Sequence, residues 1–232
     1  MNMSYCKKNL IQEINQGPYL GALFVTHMPF SLLIISPEQQ LASESQVLTQ
    51  LFAAGLTTFH VRKPTWTRAE LEAYLEAIPA QYHPRLVLHT HYELALEYPL
   101  KGIHLTTRAR QEPTLGRLLR QLRGRSISAS LHSLAEVAQH RRRYDYVFLS
   151  PIFDSTSKAD YRSSFKLAEV QQALAVWQQR RHYRPRVVAL GGITPATLGW
   201  VQQAGFAGAA VLGGIWQQPD PVTAFRALQA EI

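Results

Sequence analysis

Histidine, arginine, lysine and hydroxyl side chains gather directly after short apolar runs of the sequence. Five of the nine histidines lie at such places, which a random scatter over the chain would seldom produce. Imidazole, with an unperturbed pKa of about 6.5, suits proton transfer near neutral pH, and cations beside it suit anionic ligands. The pattern predicts a polar, cationic site that includes His60, Arg62, Lys63, His89, Thr90, His91, His104, Thr106, Thr107, Arg108, Ser128, Ser130 and His132.

Two glycine pairs follow later apolar runs, Gly191 with Gly192 and Gly213 with Gly214. Because they carry no side chains, such turns let backbone N–H groups approach a phosphate closely at the start of a helix. We therefore predict phosphate binding at both pairs. The alternative is that the glycines serve only the tight packing of two turns.

His89 and His91 have the spacing of two metal ligands on a strand, since alternate residues face the same way and imidazole suits zinc. However, Asp154 is the only acidic residue among the segments that follow the apolar runs. Each histidine taken singly could equally be a hydrogen-bonded residue at a strand end. We therefore predict no metal-binding residues.

The polar segment 150–158 follows a strongly apolar run and precedes a helical stretch. It is long enough to close over a ligand as a lid, and an ordinary connector is the alternative. Lys158 in this segment would bring a positive charge to a phosphate or diphosphate, or would be solvated.

Short runs rich in Val, Ile and Phe alternate eight times with amphipathic stretches of helical period, which is typical of a parallel sheet with crossover helices. Thr67 with Glu70 and Ser133 with Glu136 have the spacing of capping boxes, and Pro195 suits a first helical position. The predicted strands are 31–36, 57–62, 85–89, 102–106, 126–131, 144–150, 186–190 and 208–212. The predicted helices are 43–54, 67–78, 91–98, 114–123, 133–142, 164–181, 195–204 and 221–230.

Eight such units in one chain predict an α/β fold, a single (β/α)₈ TIM barrel with an N-terminal extension. An open doubly wound sheet is the alternative, but no Gly-x-Gly-x-x-Gly follows the first strand and no P-loop motif occurs. In a barrel, active sites lie where the strands end and in the loops that follow. This is where the polar residues listed first would collect.

Length and composition set the remaining limits. The chain has 232 residues, 46% of them hydrophobic and 17% charged, as in globular proteins. Residues 1–27 are interpreted as an extension, and residues 28–232 as the barrel domain. The single cysteine, Cys6, excludes an internal disulfide and favours the reducing cytoplasm. No apolar run reaches the roughly 18 residues of a membrane span, so no membrane is expected as a partner.

The chain carries 24 Lys and Arg against 16 Asp and Glu, a formal charge of +8. Such a balance is compatible with nucleic acid, acidic membranes or phosphorylated small molecules. The excess of positive charge lies in runs of basic residues that are typical of solvated helix faces. No aromatic residues alternate with these basic residues, as they would in a surface that binds nucleic acid. We therefore expect no nucleic-acid partner.

Taken in order, the strand ends resemble the thiamine phosphate synthase and thiazole tautomerase (TenI) superfamily over about residues 29–228. The segments that carry the resemblance are Phe59-His60-Val61-Arg62-Lys63, Gly102-Ile103-His104-Leu105, Ser130-Leu131-His132-Ser133, the run 145–153 and Val188-Ala189-Leu190-Gly191-Gly192-Ile193. The resemblance implies an enzyme of thiamine biosynthesis, a transferase that joins a pyrimidine diphosphate to thiazole phosphate and releases diphosphate. Its partners would be these two small molecules.

The resemblance also implies site residues. Catalytic roles would fall to Arg62, Ser130, His132 and Lys158, and substrate contacts to His60, Lys63, His89, His104, Ser150, Ser155, Ser157, Gly191, Gly192, Gly213 and Gly214. The synthase pattern has a lysine where Pro64 stands, so Lys63 is one residue early. The Asn-Asp after strand 3 becomes His89-Thr90, and the Asp that binds magnesium after strand 4 becomes Ala109. No cofactor is therefore assigned, and Mg²⁺ stays open as an alternative whose usual carboxylate ligands are absent here.

Two alternatives remain open at the level of sequence. In the tautomerase branch no diphosphate leaves, and the histidine that matches His132 would move a proton on a carboxylated thiazole phosphate. A chain that kept the phosphate loops but lost the metal carboxylates could also be a non-catalytic phosphate binder. A homo-oligomer is expected only by analogy with other barrels of this size.

Overall fold

The computed structural model describes residues 29–154 and 163–232, which form a closed barrel of eight parallel strands surrounded by helices. The strands are β1 (Ser31–Ile35), β2 (Phe59–Val61), β3 (Leu86–Leu88), β4 (Gly102–Leu105), β5 (Ser126–Leu131), β6 (Tyr146–Leu149), β7 (Val187–Leu190) and β8 (Gly208–Val211). The helices are α1 (Glu44–Ala53), α2 (Arg68–Glu76), α3 (Leu94–Glu97), α4 (Leu115–Gln121), α5 (Leu134–Gln139), α6 (Leu167–Gln178), α7 (Pro195–Gln203), α8 (Gly213–Trp216) and α9 (Pro221–Gln229). The predicted extension, residues 1–27, lies outside the described residues.

Strand β1 closes the barrel, because it pairs with both β2 and β8. Ile34 lies opposite Phe59 of β2, and Leu33 lies opposite Ala210 of β8. The prediction of a closed (β/α)₈ barrel is thereby confirmed, and the open sheet is wrong. The carboxyl ends of all eight strands meet at one end of the barrel, called the mouth below. Within the described residues, no helix has both the length and the apolar composition needed to cross a membrane.

The alternation of side chains along each strand creates two separate cores. On β1, Leu32 and Ile34 point outward into the large core between the barrel and the helices. Leu33 and Ile35 point inward and pack in a second, smaller core inside the barrel. Apolar side chains of β6, β7 and β8 complete this inner core. The other half of the interior, along β2 to β5, is therefore available for polar groups.

Local signals explain where several helices begin. Thr67 and Glu70 form the predicted capping box at the start of α2. Ser133 accepts a hydrogen bond from the Glu136 backbone at the start of α5, which is half of the second predicted box. Pro195 occupies the first position of α7, as predicted. These interactions fix the directions in which the chain leaves the strand ends.

Most of the observed elements are shorter than the predicted ones, by one to three residues at one or both ends, whereas β5 has its predicted bounds. The short helix α8 directly follows β8 and was not predicted, because four residues give no helical period. Two 3₁₀ turns, Ala80–Arg85 before β3 and Ala109–Gln111 after β4, were likewise missed. The loops at the mouth therefore contain more regular structure than the sequence pattern predicts.

A buried ion pair joins the loop after β2 to the two helices beside it. Lys63 and Glu44 are fully buried, and the Lys63 Nζ donates to Glu44 Oε2 over 2.7 Å. Tyr74 of α2 donates its hydroxyl hydrogen to the other carboxylate oxygen, also over 2.7 Å. The Lys63 ammonium lies over the ring of Trp66, 4.9 Å from its centroid. Burial lowers the pKa of Lys63, while the Glu44 carboxylate opposes that change.

We expect Glu44→Leu to lower the free energy of unfolding by about 3–5 kcal/mol, because it leaves the Lys63 ammonium buried without its partner. The double variant Glu44→Leu with Lys63→Met removes both charges and should be more stable than the single variant. Urea unfolding measures both. As a control, Glu97→Gln breaks the exposed ion pair with Arg68 and should change stability far less. Equal stability of the single and double variants would contradict the assignment of a paired buried charge.

Candidate active site

Three histidines line the polar half of the barrel interior, one from each of β2, β3 and β4. His60 is in β2, His89 directly follows β3 and His104 is in β4, and all three are buried. His60 Nδ1 lies 2.9 Å from His89 Nε2, and the ring of His89 stacks on that of His104 with centroids 4.4 Å apart. We call His60, His89 and His104 the imidazole cluster. It forms the bottom of the site at the mouth.

Hydroxyl groups of β5 and β6 hold the cluster in place. His60 Nε2 lies 2.8 Å from the Tyr146 hydroxyl. His104 contacts Ser128 through Nδ1 over 2.9 Å and Ser130 through Nε2 over 2.8 Å. Each of these two rings thus has partners at both nitrogens, which a buried imidazole requires to avoid an unpaired polar group.

Burial makes the cluster neutral at physiological pH. Desolvation, followed by the nearby charges of Arg110, Arg62 and His132, lowers the pKa of His104 to about 3. Desolvation is also the main cause that holds the pKa values of His60 and His89 well below the usual range. A neutral imidazole has one donor and one acceptor nitrogen, so each ring can donate one hydrogen bond and accept another.

Two arginines bring positive charge to the mouth. Arg62 follows β2; its backbone N–H donates to Ser36 Oγ over 2.8 Å, and its guanidinium donates to Glu38 over 2.6 Å. Arg110 follows β4 and donates to Glu136 over 3.3 Å, while its Nε is buried and has no partner among the described residues. Both charges act on the imidazole cluster, because they contribute to the lowered pKa of His104.

The predicted site residues do not all lie together. The Lys63 ammonium is fully buried in its ion pair with Glu44 at the start of α1. The reason is geometric: successive residues of an extended chain face opposite sides, so Lys63 cannot share the direction of Arg62. We therefore leave Lys63 out of the proposed site. His91 also turns aside, since its Nε2 lies 2.8 Å from the Trp66 carbonyl oxygen.

His132 and Ser150 meet at the ends of β5 and β6. His132 is exposed, and its Nδ1 lies 3.3 Å from the Ser150 carbonyl oxygen. Ser130 lies in β5, two residues before His132, and contacts the cluster through His104. The exposed imidazole of His132 is therefore accessible from the mouth, whereas the cluster lies below it.

The glycine pairs lie in adjacent loops. Gly191 and Gly192 both have positive φ, 100° and 62°, and a Cβ at Gly192 would stand 2.5 Å from the Asp154 carbonyl oxygen. A Cβ at Gly214 would stand 2.6 Å from the Ile193 carbonyl oxygen. The glycines thus allow the loops after β6, β7 and β8 to pack closely, as the packing alternative proposed. The same packing sets the first turn of α8, which begins at Gly213, beside the loop after β7.

The positions that the resemblance assigns to magnesium do not fit that ion. They hold His89, Thr90 and Ala109, and Ala109 lines a cleft of about 240 Å³ together with Glu93 and Glu112. Glu93 already lies within ion-pair distance of Arg68 and His91. Among the described residues, the group of three His, Cys, Asp or Glu side chains that lie close enough to hold one metal ion is the imidazole cluster. Hard Mg²⁺ prefers oxygen ligands, so no magnesium site is derived.

Some predicted residues cannot be located, and others were not predicted. Ser155, Ser157 and Lys158 lie outside the described residues. Arg110 and Tyr146 were missed: Arg110 stands in a turn with no helical or strand period. Tyr146 could have been found, because it alternates with the inward-facing Phe148 along β6.

Comparison with known proteins gives a consistent result. A family model described as thiamine monophosphate synthase matches residues 32–215. The thiamine-phosphate synthase of Latilactobacillus sakei is 27% identical over 191 residues, which cover 78% of this chain and 82% of the relative. That of Listeria monocytogenes is 26% identical over 195 residues, 79% of this chain and 86% of the relative.

Solved structures agree with this result. The crystal structure of a thiamine phosphate pyrophosphorylase from Bacteroides thetaiotaomicron superimposes with a TM-score of 0.71 at 31% identity, covering 87% of this chain and 97% of that one. A thiamine phosphate pyrophosphorylase from Pyrococcus furiosus gives a TM-score of 0.70 at 18% identity over 89% and 96% of the two chains, and shows the shared fold. With the family model spanning β1 to α8, this chain belongs to the thiamine monophosphate synthase family.

Proposed function

We propose that this chain is a thiamine phosphate synthase, which joins a pyrimidine diphosphate to a thiazole phosphate and releases diphosphate. Membership of the family supports the class of reaction. The observation in this chain that supports the proposal best is the position of two guanidinium groups, those of Arg62 and Arg110, near a buried neutral imidazole cluster. The site therefore has a cationic rim for a leaving diphosphate and an uncharged bottom for a heterocycle.

The reaction requires charge to be neutralised as it separates. The bond between the pyrimidine methylene carbon and the diphosphate oxygen breaks, and the electron pair leaves with the diphosphate. The lone pair of the thiazole nitrogen then forms the new carbon–nitrogen bond, which leaves the positive charge on the thiazolium ring. Preorganised cations beside the departing oxygens stabilise the transition state more than the ground state.

Arg62 and Arg110 are suited to this task because their acidic partners are the more exposed members of each pair. The side chains of Arg62 and Arg110 are 33% and 22% exposed, whereas those of Glu38 and Glu136 are 43% and 41% exposed. A diphosphate can displace an exposed carboxylate and accept hydrogen bonds in the planar geometry that guanidinium offers. We propose that these two arginines take the place of the magnesium ion that carboxylates hold in the synthase pattern, with Lys158 as a third cation.

The thiazole phosphate would bind on the opposite side of the mouth. Phosphate sites in these barrels form from the loops after the seventh and eighth strands and the start of a short extra helix. Gly191, Gly192, Gly213 and Gly214 supply such loops, and α8 is a short helix at that place. We propose that their backbone N–H groups bind the phosphate, and that Ser150, Ser155 and Ser157 add hydroxyl donors to it. His60, His89 and His104 would contact the heterocycles, and Ser130 would keep His104 oriented.

Arg62→Ala should lower kcat by about 10²–10³-fold, the usual loss when one preorganised donor to a developing negative charge is removed. Arg110→Ala should lower it in the same direction. The measurement follows thiamine phosphate and diphosphate formed from the two substrates. Arg123→Ala is the matched control, since Arg123 is exposed in the loop between α4 and β5, at the opposite end of the barrel. If both arginine variants retain the turnover of the control, the cationic rim has no part in the reaction.

His132 favours a second candidate function. Its imidazole is exposed at the mouth, is not part of the buried cluster and, within the described residues, contacts Ser150 through Nδ1. A histidine in this setting can accept and return a proton, which is the chemistry of the tautomerase branch on a carboxylated thiazole phosphate. The second candidate is therefore a thiazole tautomerase in which His132 is the proton carrier.

His132→Asn separates the two functions. Asparagine retains a hydrogen-bonding side chain but cannot carry the proton, so isomerisation of a carboxylated thiazole phosphate should be lost while formation of thiamine phosphate continues. The assay resolves isomerised thiazole from thiamine phosphate in one mixture. Full isomerisation by the variant would exclude His132 as the proton carrier. Binding of thiazole phosphate without either product would instead identify a non-catalytic binder.

A further inference from the structure

The imidazole cluster has a property that the proposed reaction does not use. We propose that His60, His89 and His104 form a binding site for one divalent transition metal ion of borderline softness, for which Zn²⁺ is the best match. This site goes beyond the proposed function, which uses the same cluster in its metal-free, uncharged form to contact the heterocycles. It also differs in place and chemistry from the magnesium positions of the resemblance.

The donor atoms are already close enough to share one ion. One ring nitrogen of each histidine lies within 4.8 Å of the others. The three residues come from adjacent strands, β2, β3 and β4, whose backbones are hydrogen-bonded to one another. Sites built on strands hold their ligands more firmly than sites on loops. Binding one ion requires the stacked rings of His89 and His104 to rotate about their side-chain bonds, so that the three nitrogens point at one place.

The surroundings match those of histidines that bind metals. A metal-bound imidazole usually makes a hydrogen bond through its other ring nitrogen, which fixes the ring and the tautomer. Here the Tyr146 hydroxyl contacts His60 Nε2, the nitrogen that faces away from His89. His104 has a serine hydroxyl at each nitrogen, Ser128 and Ser130, so either nitrogen can face the ion while the other stays bonded.

The proton between His60 and His89 has a place to go when the ion binds. In the metal-free protein, one of the two facing nitrogens must carry the hydrogen of their 2.9 Å contact. If His60 carries it, a shift to the tautomer protonated at Nε2 frees Nδ1 for the ion. The Tyr146 hydroxyl can accept from that Nε2–H, because a phenol both donates and accepts hydrogen bonds. Metal binding then requires no additional charge in the buried cluster beyond the ion.

The ligand set selects the class of metal. Three neutral imidazoles without a carboxylate suit Zn²⁺, Co²⁺ or Ni²⁺, whereas Mg²⁺ and Ca²⁺ require oxygen ligands. Three histidines also leave one tetrahedral position for water or a ligand oxygen. Among the described residues, the cluster contains no carboxylate, so a bound divalent ion would keep its charge of two positive units near Arg62 and Arg110. An anion entering from the mouth is thus the expected fourth ligand.

The test measures metal binding by the full chain after chelator treatment and dialysis. Elemental analysis should find one Zn²⁺ per chain. Co²⁺ should give the strong visible absorption of a four-coordinate ion with three nitrogen ligands, which Zn²⁺ then removes. Mg²⁺ should not compete. Because no substrate is involved, a negative result here leaves the synthase proposal standing, and a failed synthase assay leaves this result standing.

Variants locate the ion. His60→Gln and His104→Gln should abolish the four-coordinate Co²⁺ spectrum, and Tyr146→Phe should weaken Zn²⁺ binding by about 10–100-fold, the usual cost of losing a partner of a ligating imidazole. His91→Gln is the matched control, because His91 lies at the same strand end but contacts the Trp66 carbonyl oxygen. Circular dichroism verifies folding of each variant. If a glutamine variant does not fold, the paramagnetically shifted imidazole resonances of the Co²⁺-loaded unmodified chain count the histidine ligands directly.

Several results would overturn the proposal. Absence of stoichiometric Zn²⁺ would do so, as would a Co²⁺ spectrum unaffected by His60→Gln and His104→Gln. Loss of binding in His91→Gln alone would move the metal to the other histidine of that strand end. Fewer than three shifted imidazoles would also contradict a site formed by the whole cluster.

Discussion

A closed barrel must fill its own interior, and the rest of this structure follows from how it does so. Eight short strands leave no space for water-filled channels, so every inward side chain has to pack or be hydrogen-bonded. One half of the interior is filled by Leu33, Ile35, Phe148 and their apolar neighbours. The other half is filled by imidazoles and hydroxyls that bond one another. The polar half is stable only because the His60 and His104 contacts with Tyr146, Ser128 and Ser130 satisfy its nitrogens.

This internal division places the chemistry at one end of the barrel. The neutral cluster lies below the mouth, Arg62 and Arg110 lie at its rim, and the glycine loops after β7 and β8 lie across from them. The buried pair of Lys63 and Glu44 fixes the loop after β2 against α1 and α2, and so holds the residue next to it, Arg62, at the rim. One short segment thus carries both a charge buried in the fold, Lys63, and the neighbouring charge that we propose for diphosphate binding, Arg62.

The sequence predicts the architecture well, because strand and helix periods repeat eight times and each hydrophobic run is bounded by turn residues. It predicts single side chains less well. The sequence pattern predicts Lys63 as a site residue. However, the direction of a side chain reverses when its position shifts by one residue. Only the packed structure shows that Lys63 faces Glu44. The short helix α8 and the turn that carries Arg110 have too few residues for a period. Which histidines touch depends on strand register, which no local pattern specifies.

The account rests on the claim that side-chain cations, rather than magnesium held by carboxylates, support the departure of diphosphate. The most direct measurement is the rate of thiamine phosphate formation by the purified full chain as Mg²⁺ is titrated into protein and substrates freed of it. We expect product at zero added Mg²⁺ and a rate that changes little along the titration. Product that appears only with Mg²⁺, with saturation, would contradict the claim, and absence of product at every concentration would contradict the proposed reaction itself.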